Sequence, residues 1–186
     1  MKKRIALFFV LLAVFSGAFS IGAEMNVSEE EAKIFMDEFN KMLDALQGEN
    51  FGIEIFLHNT EIALPMFIPG FGMAWGVFSA VSTGYAFAAL TATTPLLGNI
   101  PPVAMIFATP FGLMELAAYS LGMSRSVILT IALFRKTPLK EQWKPLVIEV
   151  AIVVGLLLAG GIIEAYMIEH FKGGDLMPKI NGTKID

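Results

Sequence analysis

From Ile62 to Ser124 the chain carries one formal charge, Glu115. A membrane span takes roughly 20 apolar residues, so this stretch has room for more than one. Hydrocarbon offers the backbone no partner, which leaves helices or a closed barrel as spanning structures. Barrel strands alternate apolar and polar residues at period two. These runs do not alternate, so the sequence predicts an all-α, polytopic membrane protein. Composition agrees: 55% of the 186 residues are hydrophobic and only 16% are charged, where a soluble domain carries about 25% charge.

The chain starts Met-Lys-Lys-Arg and continues apolar from Ile5 to Ala23. That run reads as a cleaved signal peptide or as a retained first helix. Its length exceeds the roughly 7–15 residues of a signal core and favours the anchor. Residues 24–54 form an acidic segment. Between Glu24 and Glu61 ten acids stand against Lys33 and Lys41. Ser28-Glu-Glu-Glu31 has the form of a capping box. Ala32, Phe35, Phe39, Met42, Leu43 and Leu46 then share one face of an amphipathic helix that stops near Gly48. Its polar face is acidic, which an anionic membrane surface repels, so its apolar stripe is expected to pack on protein.

Residues 55–170 hold the helical membrane domain. Its first long block, Ile62–Leu97, is punctuated by Pro65, Pro69 and Gly70. Gly72, Gly76, Ala80 and Gly84 follow at every fourth position, a small-residue face that lets another helix come close. A turn is expected at Gly98–Pro102. The second block, Val103–Phe134, is interrupted at Pro110–Gly112 and at Gly122–Arg125, which predicts a discontinuous helix or a re-entrant half-helix before a full span. Leu146–Ile168 is the last span. Residues 171–186 form a polar tail.

Orientation follows from positive charge. The basic start and the Arg135–Lys144 loop, with four basic residues and Glu141, belong in the cytoplasm, and the acidic segment belongs outside. Three crossings fit between Glu61 and Arg135. The expectation is therefore about five transmembrane helices in a cell membrane, a cytoplasmic N-terminus and an extracytoplasmic C-terminus. The sequons Asn26-Val-Ser28 and Asn181-Gly-Thr183 both fall on the outer side.

Several classes drop out. The net charge is −4 and no basic patch is interleaved with aromatics, so nucleic acid is not an expected partner. There is no cysteine, and His58 and His170 form no zinc pair, so no metal and no cofactor are expected. The candidate functional residues are the intramembrane polar ones. Glu115 ranks first, because a carboxyl group in a span is usually paired or functional. Its bland role is a hydrogen bond to a helix break, or to Arg125 if a break near Gly122 brings the two together. Glu164 either snorkels to the outer interface or faces Glu115 or Asn59. Asn59 and Glu61 sit where the second helix enters the membrane. Glu61 and Glu149 both read as acids near helix starts, and His58 as an interfacial residue. Trp75 is expected in an interfacial belt and Trp143 at the inner surface.

Three segments carry a family resemblance. Phe56-Leu-His-Asn59-Thr-Glu-Ile-Ala-Leu64 is similar to a Phe-x-x-Asn-x-x-x-Ala-Leu start of the second helix. Thr109-Pro-Phe-Gly112-Leu-Met-Glu115-Leu-Ala-Ala is similar to a mid-chain Gly-x-x-Glu-Leu-x-Ala segment. Ile162-Ile-Glu164-Ala-Tyr166 is similar to the close of the final helix. In this order, from about Ile55 to His170, the chain resembles the stage II sporulation protein M family of integral membrane proteins. The resemblance implies a small helical membrane domain with an extracytoplasmic segment after helix one. It also implies a scaffold role, since the namesake holds cell-wall hydrolases at the membrane of spore-forming bacteria during engulfment. The chain has no hydrolase motif, so any wall chemistry belongs to a partner.

The expected function is a non-enzymatic membrane scaffold that docks partner proteins, with membrane lipid and a second copy of the chain as further partners. The alternative is a transporter or channel component for a small solute or lipid that uses intramembrane carboxylates. An intramembrane protease is disfavoured, because no Gly-x-Ser-x-Gly elbow is present.

Overall fold

A computed structural model describes residues 2–46, 50–93 and 101–171. All regular structure among them is helical: α1 (Lys2–Ala23), α2 (Glu29–Leu46), α3 (Phe51–Ala63), a 3-10 turn (Leu64–Phe67), α4 (Gly72–Thr93), α5 (Pro102–Ala108), α6 (Pro110–Phe134) and α7 (Lys140–Phe171). The stop expected at Gly48, the Gly98–Ile100 part of the expected turn, the tail beyond Phe171 and the Asn181 sequon lie outside the described residues.

Four helices are long and apolar enough to cross a membrane: Lys3–Ala23, Gly72–Thr93, Pro110–Phe134 and Lys140–Ile168. Their outward faces carry large apolar side chains, among them Phe9, Val14, Phe78, Ile131, Ile152 and Ile162. A soluble monomer rarely exposes so broad an apolar surface; in a bilayer it meets lipid. α3 and the 3-10 turn make a shorter apolar segment beside them.

The segments alternate in direction. Arg4 of α1 and Arg125 of α6 both ion-pair with Glu149 of α7. Further along, Phe15 of α1 stacks against Tyr119 of α6, with ring centroids 5.4 Å apart. α1 and α6 are thus antiparallel. α3 runs beside α6 in the same sense: Asn59 meets Glu115, Met66 and Phe67 meet Gly122, and Gly70 N–H donates to Thr130 Oγ1 at 2.7 Å. α6 is the most enclosed of the four long helices.

The first helix belongs to the core. Leu11, Phe15, Ala18 and Phe19 are buried, in one cluster with Met66, Ala80, Leu116, Tyr119, Met123, Val153 and Leu157. A Cβ placed on Gly22 would stand 2.1 Å from the Val81 carbonyl oxygen, and one on Gly84 2.1 Å from that of Phe19. The α1 and α4 backbones therefore touch where both residues lack side chains.

On α4 the small residues Gly72, Gly76, Ala80 and Gly84 are all buried. They serve three neighbours rather than one helix: the Met66 backbone at Gly72, the Met123 side chain at Gly76 and α1 at Gly84.

The break at Pro110–Gly112 is real. Thr109 is extended, its side chain accepts from Gly112 N–H at 3.2 Å, and Pro110 begins α6. The break expected at Gly122–Arg125 is absent, because α6 runs unbroken through it. Gly122 is there for contact, with Met66 2.9 Å from where its Cβ would stand.

At the start of α2 the capping box forms as expected. Ser28 N–H and Oγ donate to Glu31 Oε2 at 3.0 and 2.6 Å, and Glu31 N–H donates to Ser28 Oγ at 3.3 Å. Trp75 is half-buried, and its Nε1 donates to the Ile62 carbonyl at 3.0 Å, so it ties α4 to α3.

Candidate functional site

Two polar clusters lie inside the bundle, at different depths. The first joins α3, α6 and α7. On α6, Glu115 and Tyr119 are one turn apart and share a face. Asn59 of α3 is buried between them. Its Nδ2 donates to Glu115 Oε1 at 2.7 Å, and its Oδ1 accepts from Tyr119 OH at 3.3 Å. An amide offers a donor and an acceptor at once, and this one uses both. Glu164 of α7 lies within electrostatic reach of Glu115 and Tyr119. It is brought there by the close approach of α3 and α7, where a Cβ on Gly161 would stand 2.7 Å from the Gly52 carbonyl oxygen. Two carboxyl groups within electrostatic reach of each other can take up a proton or flank a cation. Among the described residues, no third Asp, Glu or His completes a metal-binding group with them.

The second cluster ties α1, α6 and α7. Arg125 is 1% exposed and Glu149 4%. Arg125 Nε donates to Glu149 Oε2, and its Nη1 donates to Gln142 Oε1 at 3.2 Å. Arg4 pairs with the other carboxylate oxygen. Breaking such a buried pair is costly, because the surviving charge is left without a counterion.

The expected residues thus divide. Asn59 and Glu115 come together, and Glu164 is half-buried within electrostatic reach of Glu115. Arg125 does not join them. It binds Glu149, since an unbroken α6 keeps residues 115 and 125 about 15 Å apart along its axis. Glu149 is correspondingly a buried ion-pair partner, not an acid at an open helix start. His58 and Glu61 are exposed. Sequence reasoning missed Tyr119, whose place one turn after Glu115 was a signal. It also missed the Arg125–Glu149 pair. Counting depth finds that pair: Arg125 is nine residues before the end of α6 and Glu149 nine after the start of α7, about 14 Å into each helix.

The alternating apolar helices and their internally paired polar groups define a polytopic helical membrane protein. Within that class, the chain belongs to the Stage II sporulation protein M family, whose model matches residues 5–167. The match begins in α1, well before the Ile55 start of the resemblance seen in the sequence, and so takes in the helix whose buried face completes the core. No curated protein and no solved structure shows significant similarity to the chain.

Proposed function

We propose that this chain is a non-enzymatic membrane scaffold that docks partner proteins through its acidic helix α2. One observation carries the reading: Glu115 bonds Asn59 across α6 and α3, and Arg4, Arg125 and Glu149 pair across α1, α6 and α7, so most of the interior polar groups hold helices together. The free chemistry lies on α2, where Glu29, Glu30, Asp37 and Glu38 are exposed beside the exposed Ile34. A basic partner surface with an apolar contact fits that face. α3 with the 3-10 turn makes the fifth crossing, and the basic ends face the cytoplasm, which puts α2 outside.

The test is a pull-down from native membranes in mild detergent, with the parent and with Glu30→Lys/Asp37→Lys/Glu38→Lys. A partner held by the parent and lost by the variant supports docking on α2. A partner held equally by both removes α2 from the reading.

The two intramembrane carboxyl groups Glu115 and Glu164, within electrostatic reach of each other, favour a second reading, a transport component for a small solute or lipid. Proton or cation flux through liposomes holding the purified parent, abolished in a folded Glu115→Gln variant, would replace the scaffold with it.

A further inference from the structure

The connector between α6 and α7 has a surface that neither the bundle nor the scaffold reading uses. Arg135, Lys136, Lys140 and Lys144 are all exposed, and none makes an ion pair with a described residue. Lys3 is exposed at the same end of the bundle, next to the Arg4 that pairs with Glu149. The one acid on the connector is Glu141. Among these cations stand Phe134, 84% exposed, and Trp143, 68% exposed, with the exposed Leu139 between them.

The backbone here is unusual. Lys136 has φ 53°, the left-handed region that favours glycine. Its N–H donates to the Leu133 carbonyl at 3.1 Å, and Thr137 N–H donates to that of Ala132 at 2.9 Å. This is the Schellman ending of a helix, with lysine in the glycine position. The turn presents the Lys136 side chain at a position that more often holds glycine.

We propose that this end of the bundle is a binding surface for acidic phospholipid headgroups. The cations supply charge complementary to phosphate, and Phe134, Leu139 and Trp143 supply apolar side chains that insert at headgroup depth. Juxtamembrane lysines and arginines attract anionic lipid by about fivefold each at low salt. The attraction weakens as salt shortens the Debye length.

Trp143 is the probe. The chain is reconstituted into liposomes containing brominated phosphatidylglycerol or brominated phosphatidylcholine, and tryptophan quenching is compared. Trp143→Phe supplies the background from Trp75. The expected result is stronger quenching of Trp143 by the anionic lipid, reduced in high salt. With Arg135, Lys136, Lys140 and Lys144 all changed to Gln, the two lipids should quench alike. Lys136→Gly is the second variant. It relieves the backbone and should raise thermal stability in neutral lipid while weakening the anionic preference. Equal quenching in the parent overturns the proposal, as does an undiminished preference in the four-glutamine chain. If that chain keeps its lipid preference but loses a co-purifying protein, the cations serve the protein and the proposal falls.

Discussion

At the residue scale, Asn59 and Glu31 show two ways a polar side chain is satisfied. Asn59 is enclosed, and its amide serves Glu115 and Tyr119 together. Glu115→Gln retains an oxygen to accept from Asn59 and should leave the thermal midpoint in detergent nearly unchanged. Glu115→Leu leaves Asn59 Nδ2 without its acceptor and should cost about 1–3 kcal/mol. Equal midpoints for the two variants would show that the Asn59 bond carries no weight. Glu31 is exposed, and the Ser28 hydroxyl and then the Ser28 backbone N–H hold its carboxyl below the ordinary glutamate value. A lowered folded pKa stabilises the capped helix above the ordinary value, and that contribution is lost as pH falls through the lowered one. Amide exchange in the first turn of α2 should therefore be slow at neutral pH, beyond the intrinsic pH effect, and lose that protection in acid. Glu31→Gln should lack this added pH dependence.

At the element scale, glycine decides which helices touch. Gly84 meets the α1 backbone, whereas Gly155 on α7 has nothing within 4 Å of where a Cβ would stand. Gly155→Ala adds only helix propensity and should be neutral or stabilising by up to about 1 kcal/mol. Gly84→Ala drives a methyl into the Phe19 carbonyl and should destabilise by about 1–3 kcal/mol. Thermal melts of the two variants check the contrast, and equal shifts would mean that α1 and α4 are free to move apart. Val14→Ala, at an exposed position of α1, makes a near-neutral control.

At the scale of the whole molecule, Glu149 links three helices. Glu149→Leu strands Arg4 and Arg125 without their shared counterion and should cost about 3–5 kcal/mol. Adding Arg125→Met to Glu149→Leu removes the buried cation and should recover much of that loss in a thermal melt, because an apolar pair replaces an ionic one. No recovery would mean that Arg125 is held by something other than Glu149. The proposed topology has its own test, helped by the absence of native cysteine. A cysteine at Asn26 should react with an impermeant thiol reagent in intact cells, and one at Thr137 should not. The reverse pattern would invert the orientation. Detection of Lys3 in the mature chain would further show that α1, buried in the core, is retained.

Much of this was legible in one dimension. Long uncharged runs leave helices as the economical way to satisfy backbone groups in lipid, so the class followed from hydropathy alone. The α2 cap was legible because a capping box is a contact between residues three apart. The small-residue face was legible because helical period stacks every fourth residue. The partners across the bundle were not. Whether Glu115 meets Arg125 or Asn59 depends on how α6 continues and on which helix lies beside it, and Gly122 reads equally as a break or as a contact. Only the packed structure made it a contact, with Met66 against it and the α6 hydrogen bonds uninterrupted. That choice carried Arg125 away from Glu115, toward Glu149 at matching depth on α7, because charge pairing in a bundle is set by depth and facing, which the linear order of residues does not contain.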